Sequence, residues 1–566
     1  MHFKIDYGNI FYKKIKRKKK GIKLKMKKYE NKNLGITLVA LVITIVILLI
    51  LAGISISTLT NTGIFEKAKE AKQKSENAQK EEDRLISEYE KEIVKQDAEG
   101  IWDGKVNKPD LMSGMSAIYF DNNKATKVGN TDKDKWYSYN DKEWANAQTE
   151  DGSMWVWIPR YAYRINKSTK TCDIVFLIGT SDNYYDKDGK VQTAQRQTSN
   201  GQTIKTDGEA YTVHPAFTNE SNIGYVNGGW KKELTGIWVS KFEAGYFDKN
   251  LVDADKEKYS SSVNYSQTYG YTPAAKNEDA RNYLDGVYGS KTTAIKYPTF
   301  QGGKYSMNYI NHNDAFNISK AIAGDSNNIY GLKSNSTDSH LIKNSEWGAV
   351  AYLGQSQYGL YNKNIRINNV NMGDNSHFVY AMTGYAAKEE DAANTTNTDA
   401  IAWNQTGGEL ASTTGTIYGI YDMSGGTWER SASLVNNGNS RLNEFGSSLM
   451  YSLKDGKSSE YVTVYETDTS VDNTGVSWTD ENLLKTNEAN YKKNTKYGDA
   501  IKETSTAGTG QTSWHSDYSY FAGVYVPFFA RGGHCWDRSG AGLFYFGRHG
   551  GYSSYSNGFR SVLVAQ

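Results

Sequence analysis

The sequence predicts an α+β head carried on an N-terminal apolar helix and a helical stalk. Three observations predict it. An uncharged run fills residues 36–59, a polar helical pattern fills 60–99, and short aromatic and β-branched runs between Gly/Asn/Asp turns fill most of the remainder. The chain is polar: 38% of its 566 residues are hydrophobic, 23% are charged, and its mean hydropathy is −0.67. Its 42 Tyr and 13 Trp nevertheless supply enough apolar surface for a core and exclude a wholly disordered chain. Six prolines exclude Pro-rich low complexity.

Residues 1–34 hold thirteen Lys/Arg against Asp6 and Glu30, a charge of +11; the net charge of +3 leaves −8 for the other 532 residues. A body of that sign disfavours broad nucleic-acid binding, which phosphate neutralisation drives. The run Ile36–Leu59 has 24 uncharged residues. As a helix it would be about 36 Å long, enough for a hydrocarbon layer of about 30 Å. It exceeds the apolar region of roughly 7–15 residues in a secretory signal. Basic flanks stay cytoplasmic. The expectation is therefore a basic cytoplasmic leader (1–35), a single membrane span (36–59) and an extracellular head at the cell surface.

Around that junction, Asn33-Leu34-Gly35 followed by Ile36-Thr37-Leu38-Val39-Ala40 resembles the N-terminus of type IV prepilins. There a basic leader ends at a glycine and the apolar helix begins the mature chain. The resemblance implies cleavage between Gly35 and Ile36. Ala40 departs from the acidic fifth residue of most pilins, so a pseudopilin-like filament subunit and a permanent membrane tether both stand. In 60–99, Ile64, Ala68, Ala71, Ser75, Ala78, Leu85 and Tyr89 recur at helical spacing, broken at Glu82. This thin stripe fits either self-association through helix 36–97 or a solvated stalk.

Residues 100–150 read as a linker with short strands, and 151–566 as the head. Strand-like runs in the head are 154–165, 236–246, 415–425 and 542–546; Asp314–Ala323 and Lys343–Leu353 read as helices. Four motifs then appear in order. Lys343-Asn344-Ser345-Glu346-Trp347-Gly348-Ala349 resembles a helix of the sulfatase-modifying-factor (formylglycine-generating enzyme) family. Tyr418-Gly419-Ile420-Tyr421-Asp422-Met423-Ser424-Gly425-Gly426-Thr427-Trp428-Glu429 resembles that family's "GLyDMsGNvWEW" motif. Arg531-Gly532-Gly533 and Gly558-Phe559-Arg560 resemble its ending. The resemblance implies a C-type-lectin-like head. Structural roles are expected for all of them: Trp347, Trp428 and Phe559 in the core, Glu346, Glu429, Arg531 and Arg560 in internal hydrogen bonds and ion pairs.

Catalysis is not supported. The formylglycine-generating branch uses two cysteines near the C-terminus, and only Cys535 stands there; Cys172 is the other cysteine of the chain. A Cys172–Cys535 disulfide is an alternative for the pair. The eight His show no metal-binding spacing, and no cofactor is expected. The acidic run Asp182–Asp188 reads as a solvated loop, with calcium binding the other possibility.

The last 36 residues, Arg531–Gln566, resemble the variable region of proteins diversified by retroelements, in which adenines are randomised. Replacing the two adenines of an Asn codon never yields Lys, Glu, Gln or Met, and none of these occurs between His534 and Asn557. The segment has the Tyr/Ser/Gly/Asn composition of binding loops. Alternation places Phe544 and Phe546 inside and Tyr545 outside. The expected function is a surface-displayed, adhesin-like protein that binds an unknown protein or glycan. The residues expected to bind are His534, Trp536, Asp537, Arg538, Tyr545, Arg548, His549, Tyr552 and Tyr555.

Overall fold

The computed structural model describes residues 70, 72–74, 77–78, 106–196, 210–219, 228–245, 298–308, 310–324, 329–371, 381–389, 400–453, 459–470 and 480–566. The chain divides into two compact units, Met1–Asp83 and Arg84–Gln566. In the first, Glu70, Lys72, Gln73, Lys74, Asn77 and Ala78 are helical and exposed, as a polar helix requires. The other residues of the small-residue stripe lie outside the described residues.

The membrane-crossing helix is corrected. Among the described residues, no helix is long and apolar enough to cross a membrane. The helix Asp480–Lys493 has 14 residues, or about 21 Å of rise against the roughly 30 Å needed, and it is rich in Asn, Glu and Lys. The run 36–59 and the Gly35–Ile36 junction lie outside the described residues. The single-pass anchor and the extracellular placement of the head that rested on it are corrected with that span.

The second unit is sheet-rich. In chain order it contains β1 (Ser116–Asp121), β2 (Lys124–Lys127), β3 (Asn146–Gln148), β4 (Met154–Pro159), β5 (Tyr161–Asn166), β6 (Thr171–Phe176), β7 (Asn183–Tyr185), β8 (Val191–Thr193), β9 (Thr212–Val213) and β10 (Gly236–Ser240). Then come α1 (His312–Ala321), β11 (Thr337–Leu341), α2 (Asn344–Gly354), β12 (Tyr385–Ala386), β13 (Ile401–Ala402), β14 (Trp428–Val435), α3 (Arg441–Ser452), β15 (Thr463–Tyr465) and α4 (Asp480–Lys493). Strands β16 (Phe528–Gly532), β17 (Gly542–His549), β18 (Asn557–Phe559) and β19 (Ser561–Ala565) close the chain.

The larger sheet has the order β11-β19-β10-β4-β3-β1-β2, with every neighbouring pair antiparallel. Every residue of β4 and β10 is buried, and Trp157 stands opposite Trp238 with ring centres 5.3 Å apart. The strands of 106–150 belong to this sheet, and Trp136 and Trp144 lie in the main core. The segment read as a linker with short strands does carry strands, and its Trp136 and Trp144 are core residues.

A second sheet runs β15-β14-β16-β17, with β18 also parallel to β14. Helix α2, buried along its whole length, ties the strand layers together. Tyr161 Oη of β5 donates to the Ala349 carbonyl (2.8 Å), and Trp347 Nε1 donates to the Leu543 carbonyl of β17 (2.8 Å). The two helices read from sequence are present within two residues of the expected bounds. The Asn311 side chain accepts from the Asp314 N–H (2.8 Å) and so starts α1 at His312. The strand expected over 415–425 is instead a buried run of turns. Asp422 (φ 60°), Gly415 and Gly425 take left-handed conformations that a strand cannot contain.

Candidate functional site

The four motifs meet around Trp347. Strand β14 carries Glu429 opposite Arg531 of β16 on one side and opposite Gly558 of β18 on the other. The guanidinium carbons of Arg531 and Arg560 lie 5.4 and 5.7 Å from the centre of the Trp347 ring. Gly532 (φ +82°) passes so close that a Cβ there would stand 3.1 Å from that ring. Both arginines are fully buried and fully employed. Arg560 Nε donates to Glu429 Oε2 (2.6 Å) and Nη1 to the Ser240 carbonyl (3.0 Å); Arg531 Nε donates to the Tyr545 carbonyl (2.9 Å) and Nη1 to that of Asp499 (2.8 Å). Burial pulls the Arg531 pKa down to about 10, with Asp499 opposing.

Beside this lies a buried acidic group. Glu243 accepts from the Thr427 N–H (3.0 Å) and from the Ser306 and Thr427 hydroxyls. Asp422 accepts from Gly384 N–H and Asn368 Nδ2, each at 2.8 Å. Burial pushes Glu243 and Asp422 above the ordinary carboxylate range, and raises Glu429 to about 7 against the pull of Arg560. Glu346 is held by His340 (2.9 Å) and by the Lys343 N–H (2.9 Å). These carboxylates brace loops. The structural roles expected from sequence thus hold for Trp347, Phe559, Glu346, Glu429, Arg531 and Arg560, all with no exposed surface.

Trp428 is the exception. It is half-buried at the surface, stacked on His534 (ring centres 4.4 Å apart, 20° between planes), and its Nε1 donates to Asp537 Oδ2 (2.7 Å). Asp537 Oδ2 also accepts from the His534 N–H (3.0 Å), and Asp537 Oδ1 lies 3.1 Å from His534 Nδ1. Trp536 and Tyr555 are half-buried over the wholly buried Cys535 and Ala381. Arg538, in a left-handed conformation (φ 53°), is exposed at the tip of the same turn. The turn continues into the neighbouring segment, where Tyr518 N–H donates to the Gly540 carbonyl (2.9 Å) and Tyr520 N–H to that of Phe546 (2.8 Å). The Tyr518 and Tyr520 rings are 5.8 Å apart, and the Arg548 guanidinium lies 5.2 Å from the Tyr520 ring.

Of the nine residues expected to bind, His534, Trp536, Asp537, Arg538, Arg548 and Tyr555 keep solvent-exposed surface, and ring contacts join His534 to Trp536 and Arg548 to Tyr520. Two, Tyr545 and His549, are buried instead, and Tyr552 keeps surface beside them. Tyr545 does alternate with the buried Phe544 and Phe546, but it is itself only 5% exposed, lying flat across Gly547. His549 is buried, with Nδ1 accepting from Arg430 Nη1 (3.1 Å) and from the Gly551 N–H (2.9 Å). Tyr552 keeps some surface but packs 4.5 Å from the His549 ring, and its carbonyl accepts from Arg430 Nη2 (2.5 Å). Both serve an internal Arg430–His312 network. Sequence reasoning missed Trp428, Tyr518 and Tyr520; the Tyr- and Ser-rich run around 518–520 carried the same compositional signal as the last segment.

The cysteines are free thiols and both buried, which corrects the disulfide alternative. Burial and nearby Glu243 push the Cys535 thiol up, away from thiolate chemistry. Asp182, first residue of the acidic run, is bound by Arg160 (2.9 Å) and Arg196 (2.5 Å). The face itself offers rings, two guanidiniums, one imidazole and the Asp537 carboxylate. No protein-family model matches the chain, and no curated protein matches it.

Proposed function

We propose that the head is a ligand-binding domain of the C-type-lectin-like, sulfatase-modifying-factor kind. Its ligand, a protein or a glycan, is held by contact rather than chemistry on the face of Trp428, His534, Trp536, Arg538, Tyr518, Tyr520, Arg548 and Tyr555. The observation that carries the reading is the division within 531–560. Arg531, Gly532, Phe544, Phe546, Phe559 and Arg560 are buried and locked, while the residues between them that open to solvent include the aromatic or cationic His534, Trp536, Arg538, Arg548, Tyr552 and Tyr555 alongside Asp537 and three serines. A rigid frame with aromatic and Arg anchors on top is the arrangement that makes binding hot spots.

On this reading the segment is a retroelement-type variable region, and its frame and face should differ in variability. The test is the DNA beside the coding sequence. A reverse transcriptase and a near-copy of the last hundred or so bases, differing only where the copy has adenines, are expected. A near-copy whose differences are spread over all four bases, or that alters the buried frame codons, removes the diversified-display reading.

A further inference from the structure

A groove of about 670 Å³ between α1 and α3 shares no lining residue with the proposed face. Its volume falls within the roughly 300–1,000 Å³ of small-ligand sites. Three rings border it: Phe316 from α1, Tyr451 from α3, and Tyr461 just before β15. Tyr451 is 94% exposed, the most exposed large hydrophobic side chain among the described residues, where the next is Val191 at 55%. A ring left so open at the lip of a concave site is a platform for another molecule.

The charges of the groove are already spent. Lys320 Nζ lies 3.2 Å from Asp338 and 3.3 Å from the centre of the Tyr461 ring, whose hydroxyl donates to the same carboxylate (2.7 Å). Glu460 pairs with Lys231 (2.9 Å). A phosphate or carboxylate ligand would find no free cation, and a cationic ligand no free carboxylate. The rest of the lining is hydroxyl and amide: Asn317 of α1 and the serines of α3, among them Ser448. Ser447 Oγ already donates to Asn313 Oδ1 (3.1 Å) and Ser452 Oγ to the Leu449 carbonyl (2.7 Å), but an apolar chain laid over Asn317 and Ser448 would take their polar groups out of water, which is unfavourable. A pyranose matches instead: its C–H faces cover rings, and its hydroxyls serve Ser and Asn as both donor and acceptor.

We propose that this groove binds a short neutral oligosaccharide, one ring of which stacks on Tyr451. The test uses the full chain, titrated calorimetrically with tri- to hexasaccharides of glucose, galactose, mannose and N-acetylglucosamine. At least one should bind, Tyr451→Ala should weaken it at least about tenfold, as loss of an anchoring ring does, and Tyr451→Phe should retain it. The melting temperature of Tyr451→Ala should match the parent, because the ring supports nothing inside the fold. Trp536→Ala, which removes an anchor of the other face, should leave saccharide binding intact, so the two readings fail separately. Absence of binding by every saccharide at millimolar concentration, or equal affinity in Tyr451→Ala, overturns the proposal. So does binding of an apolar peptide at Tyr451 where no saccharide binds.

Discussion

Phe544 has no exposed surface and packs its ring 5.0 Å from Trp514, while Arg538 a few residues before it stands in solvent. Truncating a buried aromatic ring removes contacts that the surroundings cannot restore, so Phe544→Ala and Phe559→Ala should each destabilise the head by about 3–5 kcal/mol. Arg538→Ala should change stability by no more than about 0.5 kcal/mol. Thermal and denaturant melting separate the two; equal melting of all three variants would contradict the frame-and-face division. The Glu429–Arg560 pair gives a sharper case. Both side chains are wholly buried, so Glu429→Ala leaves the Arg560 guanidinium without its buried hydrogen-bond partner and should cost about 3–5 kcal/mol, more than the pair itself contributes. Replacing both with Met should recover part of that loss, as a double-mutant denaturation cycle would show.

At the scale of elements, α2 is held closest. A Cβ on Gly348 would stand 2.1 Å from the Gly498 carbonyl oxygen, a backbone atom that cannot swing away. Helix propensity alone would favour Gly348→Ala by up to about 1 kcal/mol. The overlap is expected to win, leaving a net destabilisation of about 1–3 kcal/mol; a variant that melts higher would show that the 498 loop can retreat. This helix was legible in the sequence because Trp347, Val350 and Ala351 recur at helical spacing behind an acidic first turn. Helices α3 and α4 were not read: α3 is interrupted at Gly446, whose φ of −143° is not helical, and α4 is largely polar. The 415–425 run looked like a strand because its Tyr and Ile have strand propensity, and only Asp422 and the glycines hinted at turns. In the last segment, alternation identified Phe544 and Phe546 correctly. It could not reveal that Tyr545 lies flat on Gly547, or that His549 turns inward to Arg430, because both depend on long-range neighbours.

For the molecule as a whole, buried titratable groups set the pH response in two opposed ways. His312 Nε2 lies 2.7 Å from the Ser431 carbonyl, and Nδ1 faces Arg430 at 3.5 Å, so the fold wants a neutral ring donating from Nε2. Burial and then Arg430 lower His312 to about 3; burial lowers His214 to about 3 and His549 well below its ordinary value. The unfolded chain binds these protons from about pH 6.5 downward, so each depressed histidine contributes stability that is present above that pH and is lost as pH falls toward 3. Glu429 and Glu503 run the other way. Burial raises each to about 7, so their contribution is complete below about pH 4.5 and disappears as pH rises through 7. Between about pH 6.5 and 4.5 the two effects offset each other. Below about 4.5 Glu429 and Glu503 have nothing further to gain, and the histidine loss continues, joined by that of Asp338, which burial would raise but His340 and Lys320 hold at about 2. Stability is therefore expected to change little from pH 6.5 to about 4.5 and then to fall steeply. Urea denaturation of the full chain at half-unit pH steps measures this. His312→Asn should lower stability at pH 7 but flatten the acid limb, because one of the protons driving unfolding is gone. A parent profile that stays level down to pH 3, or an unchanged acid limb in His312→Asn, would show that the Arg430 network does not control the acid response.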